Sequence, residues 1–145
     1  MMVRGHDPHR TTRSFWFTPG GGREAGESAR ECAVRELREE TGYVVAAAEL
    51  VGPVWRRTAV FDFASRPYTQ HEEFFVAVLT EDHRRGRVQP ELTADEHEAL
   101  DALAWLSQDE LAAESREVFP ARLRSAFDEF LAWDGVTRDF GEENE

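Results

Sequence analysis

The sequence predicts an α/β or α+β layered sandwich, and three observations carry that prediction. One helix, Ser28 to Thr41, has start and stop signals at both ends. Short β-rich apolar runs follow it, separated by Gly, Pro and polar turns. The chain has 145 residues, 41% of them hydrophobic and 11% aromatic, which is enough material for one core.

Each element has a local reason. Residues 1–13 are polar and irregular apart from Met2-Val3-Arg4, which reads as the remnant of a first strand followed by a loop. Ser14 to Thr18 is short and aromatic and stops at Pro19-Gly20-Gly21-Gly22, so it reads as a strand entering a tight loop. Ser28 with Glu31 forms a capping box, and Gly42 stops the helix. Val44-Val45, Leu50 to Trp55, Ala59 to Phe63 and Phe74 to Leu79 read as strands. The stretch His83 to Arg87 reads as a basic turn, and Ala102 to Leu106 as a further strand. A short helix begins after Ser107 or Asp109. A longer one is predicted over Pro120 to Trp133, with Leu123, Ala126, Phe127, Phe130 and Leu131 as its apolar stripe. Residues 141–145 read as a flexible tail.

Lys+Arg number 17 against 29 Asp+Glu, a formal net charge of -12. That balance argues against duplex nucleic acid, whose phosphates require cations, and against attachment to anionic lipid. A small phosphorylated ligand stays open, because a divalent metal reverses the local sign. Cys32 is the single cysteine, so neither an intrachain disulfide nor a Cys-based zinc site is available. The sequence has no bilayer-length apolar run, and a cytoplasmic location is the expectation.

The chemistry concentrates between Gly20 and Tyr43. At about 100° per residue, Glu39 lies roughly 60° to one side of Glu36 and Glu40 roughly 40° to the other. Three carboxylates thus share one helix face, beside an adjoining face of Ala33, Val34 and Leu37. Like charges at these spacings repel, and anions near a helix C-terminus oppose the dipole. A solvated acidic face is one reading; a hard divalent cation is the other, since it takes oxygen ligands and removes the repulsion. The Gly run in front would add backbone carbonyls.

Gly21, five residues, Glu27, seven residues and then Arg35-Glu36-Leu37-Arg38-Glu39-Glu40-Thr41-Gly42-Tyr43 resembles the signature of the Nudix hydrolases at each fixed position. Outside this box, Trp105-Leu106-Ser107 and Asp109-Glu110-Leu111 add a general similarity. The resemblance implies a single Nudix domain over 1–145, built as an α/β/α sandwich with a mixed sheet whose first strand is truncated. It implies metal-dependent hydrolysis of a diphosphate bond in a nucleoside diphosphate linked to another group, with water as nucleophile. Glu36, Glu39, Glu40 and the Gly20 carbonyl would bind Mg²⁺ or Mn²⁺. Glu36 is the first choice for the base and Glu40 the second, while Glu27 and Arg35 would tie loop to helix. A further acid is expected before the Ala102 strand, where Glu98 is preferred to Glu96; Glu72 and Glu73 form a second candidate pair. A homodimer is also compatible with the family.

Elsewhere the bland reading is favoured. The five histidines lack metal spacing, and Cys32 reads as a small buried helix residue. Trp55, Phe61, Phe63 and Tyr68 could stack on a ligand but more often form core, and Arg56, Arg57 and Arg66 could meet phosphate but read as solvated. Two competing functions remain: a nucleotide-binding sensor without catalysis, and an inactive fragment shortened at its front.

Overall fold

Strand pairing sorts residues 1–145 of the computed structural model into two mixed sheets. In chain order the elements are β1 (Met2–Asp7), β2 (Arg10–Phe17), α1 (Ala29–Thr41), β3 (Val51–Phe63), β4 (Arg66–Val76), α2 (Glu81–Arg85), α3 (Ala94–Ala99) and β5 (Leu100–Ala104). They continue with α4 (Gln108–Ala113), β6 (Glu117–Phe119), α5 (Phe127–Leu131) and β7 (Arg138–Asn144). One sheet has the order β5-β1-β2-β6, antiparallel except that β6 runs parallel to β2. The other has the order β4-β3-β7, with β7 parallel to β3. This mixed α+β architecture agrees with the predicted class.

Period-two alternation sets the core. Trp16 pairs with Arg4 on one side and Val118 on the other, and it is buried with Met2, Val54, Trp55, Leu111, Leu123 and Ala126. Trp55 packs against Phe74, Phe130 and Phe140, with ring centroids 6.1, 4.2 and 5.6 Å away. Taking ~200 Å² of such a side chain out of water is worth about 5 kcal/mol.

The predicted central helix forms as expected. Ser28 accepts from the Glu31 N–H while Glu31 accepts from the Ser28 N–H, and Gly42 ends the helix in the left-handed region at φ 77°. A Cβ at Gly42 would also collide with the Val88 carbonyl, so glycine is required twice over. The chain after α2 is tied to this end of α1: Val88 N–H donates to the Gly42 carbonyl at 2.8 Å and Glu91 N–H to the Glu39 carbonyl at 2.7 Å. Those bonds bring α3 beside the acidic face of α1.

Several expectations change. Met2–Asp7 is a six-residue strand paired on both sides, to β2 and β5, so the front of the chain is built into a sheet rather than irregular. Its polar members have partners: Asp7, 2% exposed, accepts the His9 N–H at 2.8 Å, and Arg4 and His6 meet Asp101. The tail 141–145 is not loose either, because β7 pairs with β3 and Glu145 bonds Arg57. Leu50 to Trp55 and Ala59 to Phe63 merge into one strand across Arg56-Arg57-Thr58, since the buried Arg57 meets Glu72, Glu143 and Glu145 there. Val44-Val45 is not a strand, and His83 to Arg85 belongs to α2 rather than a turn. The helix predicted over Pro120 to Trp133 is broken into a 3₁₀ turn, Ala121–Arg124, and the short α5. Gln108 explains the break: its amide donates to the Leu123 and Arg124 carbonyls and accepts the Phe127 N–H at 3.1 Å. Backbone groups that a continuous helix would pair are satisfied from outside. Neither α3 nor β6 was expected.

Candidate metal centre

Three carboxylates from two helices converge. Oxygens of Glu36, Glu40 and Glu96 all lie within 4.8 Å of one another. Glu36 and Glu40 are 6% and 5% exposed, so their charges are largely withdrawn from water. The Gly turn before α1 closes one side: a Cβ at Gly21 would overlap the Glu36 carboxylate, and only glycine allows so close an approach. Gly20 reaches the cluster through its N–H, which donates to Glu40 Oε2 at 3.0 Å.

Arg35 organises the rim. Its Nη1 donates to Glu36 Oε1 at 2.8 Å and to Glu39 Oε2 at 2.9 Å, its Nε to Glu27 Oε1 at 2.9 Å, and its Nη2 to the Gly22 carbonyl at 2.9 Å. One guanidinium thereby fastens the Gly loop to the helix, in the bridging role expected for Glu27 and Arg35. These bonds hold the Glu27 carboxyl down at about 2, helped by the Glu24 N–H. The cluster behaves oppositely. Burial, then the charges of Glu36, Glu96 and Glu39, push the Glu40 carboxyl up to about 8 against the pull of the Gly20 N–H. Burial likewise raises Glu36, with Arg35 opposing. A metal-free site therefore tends to keep a proton, and a cation would replace it. The donors are all oxygen, the set preferred by Mg²⁺ and Mn²⁺.

Glu36 and Glu40 occupy the expected place, while Glu39 sits at the edge with its carboxylate on Arg35. Glu96, not Glu98, joins the group; Glu98 is exposed. Two residues along a helix turn roughly 200°, so both cannot face α1. A signal for this choice exists in the sequence. Thr93 caps α3, and Glu96 Oε2 accepts the Thr93 N–H at 2.7 Å, so Thr93-x-x-Glu96 is a capping box that fixes this glutamate. Glu72 and Glu73 lie elsewhere, paired to Arg57 and Arg56. Cys32 is buried, and burial with the nearby Glu27 and Glu36 charges pushes its thiol up to about 11, which keeps it neutral. No helix is long and apolar enough to cross a membrane.

The comparisons with known proteins agree with this geometry. The family model described as the NUDIX domain matches residues 1–133. An uncharacterized Nudix hydrolase of Bacillus subtilis (strain 168), YvcI, is 48% identical over 40 residues, 28% of this chain and 25% of the relative. A protein of the same organism, provisionally named an 8-oxo-dGTP diphosphatase, is 54% identical over 38 residues, 26% of each chain. A Caenorhabditis elegans protein provisionally named nudix hydrolase 1 is 40% identical over 57 residues, 36% of this chain and 16% of the relative. The matched segments thus span about a quarter or less of these relatives. No solved structure gives a significant match.

Proposed function

The chain belongs to the Nudix family, and from that premise we propose that it hydrolyses a pyrophosphate bond in a nucleoside diphosphate linked to another group. The observation that carries the proposal is the buried cluster of Glu36, Glu40 and Glu96 behind the Gly20-Gly21 turn. A bound Mg²⁺ or Mn²⁺, held by these carboxylates with Glu39 and the Gly20 carbonyl as further candidates, would neutralise the diphosphate and acidify a water.

The protein's own part is positional. Arg35 fixes Glu36 through Oε1, which leaves Oε2 to accept the proton of the attacking water. Glu40 is held by the Gly20 N–H and is the second choice for that role. Burial strengthens every charge interaction at the cluster, since little water screens it. The grouping of Glu96 with Glu36 and Glu40 supports it, rather than Glu98, as the further acid. A small nucleotide-derived substrate completes the reading, and a homodimer is compatible with it.

The test is a panel of nucleoside diphosphate derivatives with Mg²⁺, beginning with oxidised purine nucleotides because of the name one relative carries. Mass spectrometry reads the products. Glu36→Gln should lower kcat by about 10²–10⁴-fold with little change in KM, the range for loss of a general base. Unchanged turnover in both E36Q and E40Q would falsify the reading. Melting shifts with nucleotides but no product would instead identify a sensor.

A further inference from the structure

Far from the acidic cluster in sequence, a second charged centre is built around Arg57. Its side chain is 3% exposed, a rare burial for an arginine. Nη1 donates to Glu145 Oε1 at 2.5 Å and Nη2 to Glu145 Oε2 at 3.1 Å, so the guanidinium fork grips one carboxylate with both arms. The Ala121 N–H adds a third donor to Oε1 at 3.2 Å. Glu143 is shared between Arg57 Nη1 at 3.2 Å and Arg122 Nη2 at 2.8 Å, and Glu72 takes Arg57 Nε at 2.6 Å. Beside these groups lies a cavity of about 460 Å³ lined by Ala121, Arg122, Ser125, Glu143, Asn144 and Glu145.

We propose that the Glu145 carboxylate is the internal occupant of an anion-binding site formed by Arg57, the Ala121 N–H and Arg122, and that the phosphate group of a small ligand competes with β7 for it. The donor geometry is that of a bidentate oxyanion receptor, and a phosphate fits the fork as well as a carboxylate does. The cavity brings a ligand to Ala121, Arg122 and the Glu145 carboxylate, with the Ser125 hydroxyl as an additional donor, and Arg57 becomes reachable once Glu145 moves aside. The occupant is removable. β7 is an edge strand bonded on one side only, and three carboxylates share the buried Arg57. Glu143 and Glu145 leave together when only the end of β7 beyond Phe140 lifts, while Glu72 stays on Nε and spares Arg57 an unpaired buried charge.

The test is thermal melting and calorimetry of the full chain in EDTA, so that nothing binds through metal at the acidic cluster. Inorganic pyrophosphate and a nucleoside monophosphate serve as separate probes, distinguishing a free phosphate from a nucleotide as its source. The parent protein should melt higher with at least one probe. Glu145→Gln, which weakens the internal competitor, should bind that probe about tenfold tighter. Arg122→Ala, at a side chain 39% exposed, should bind it more weakly. A parent unmoved by both probes, or an E145Q protein with no gain, overturns the proposal. If E145Q does not fold, R122A decides: undiminished binding there overturns it.

Discussion

Glu40 is the residue whose charge is most at odds with its surroundings. Its carboxyl sits at about 8 in the folded protein against an ordinary 4.5. Between those values the folded chain keeps a proton that the unfolded chain has lost, so this group's contribution to stability falls as pH rises from about 4.5 to about 8. The metal-free protein should therefore lose stability over that window, and Glu40→Gln should flatten the loss. Denaturant unfolding in EDTA at pH 5 and pH 8 checks this; an E40Q protein as pH-sensitive as the parent would show that the proton is held elsewhere. At this scale helical spacing put Glu36, Glu39 and Glu40 on one face, and the resemblance over Gly21 to Tyr43 pointed to that face as a metal site rather than a solvated one. Between Glu96 and Glu98 the Thr93-x-x-Glu96 capping box was the available sign, and its weight becomes clear only once α3 is seen packed beside α1.

At the scale of elements, α1 is the piece most fully written in local sequence. Ser28, Glu31 and Gly42 each satisfy helix-end groups within a turn of themselves. Ser28→Ala should cost about 1 kcal/mol, the usual value of a lost N-cap, and because the Gly20-Gly21 turn is anchored separately through Glu40 and Arg35 it should leave kcat nearly unchanged. Thermal melting paired with turnover tests both halves; a large fall in kcat would mean that the cap positions the cluster. The region after Pro120 is the opposite case. Its apolar stripe is sound, and Leu123 and Ala126 do enter the core, but Gln108 and Arg124 draw the backbone into tertiary hydrogen bonds. β7 was misread for a similar reason: Glu142-Glu143-Asn144-Glu145 has no tendency to form a strand by itself, and β3 with Arg57 supplies the partner.

For the whole molecule, the net charge of -12 becomes a question of location. Much of it is paired, as at Arg56 and Arg57, while Glu36, Glu40 and Glu96 gather a concentrated portion that Arg35 meets through Glu36. A divalent metal that binds only the folded state should raise the melting temperature, by an amount equivalent to about 2.7 kcal/mol at a hundredfold excess over Kd. Scanning calorimetry with Mg²⁺ should show that rise in the parent and a much smaller one in E36Q and E40Q; equal shifts in all three would point to binding elsewhere. The sequence by itself determined the fold class, the capped helix, the three carboxylates on its face and the glycines that let a loop approach them. Those features follow from spacing and from bonds closed within a few residues. Only the tertiary structure decided the third carboxylate, the ordered ends of the chain, the broken helix and the centre at Arg57. Each of these depends on partners distant in sequence, and a buried charge or backbone group takes whichever partner folding brings within reach.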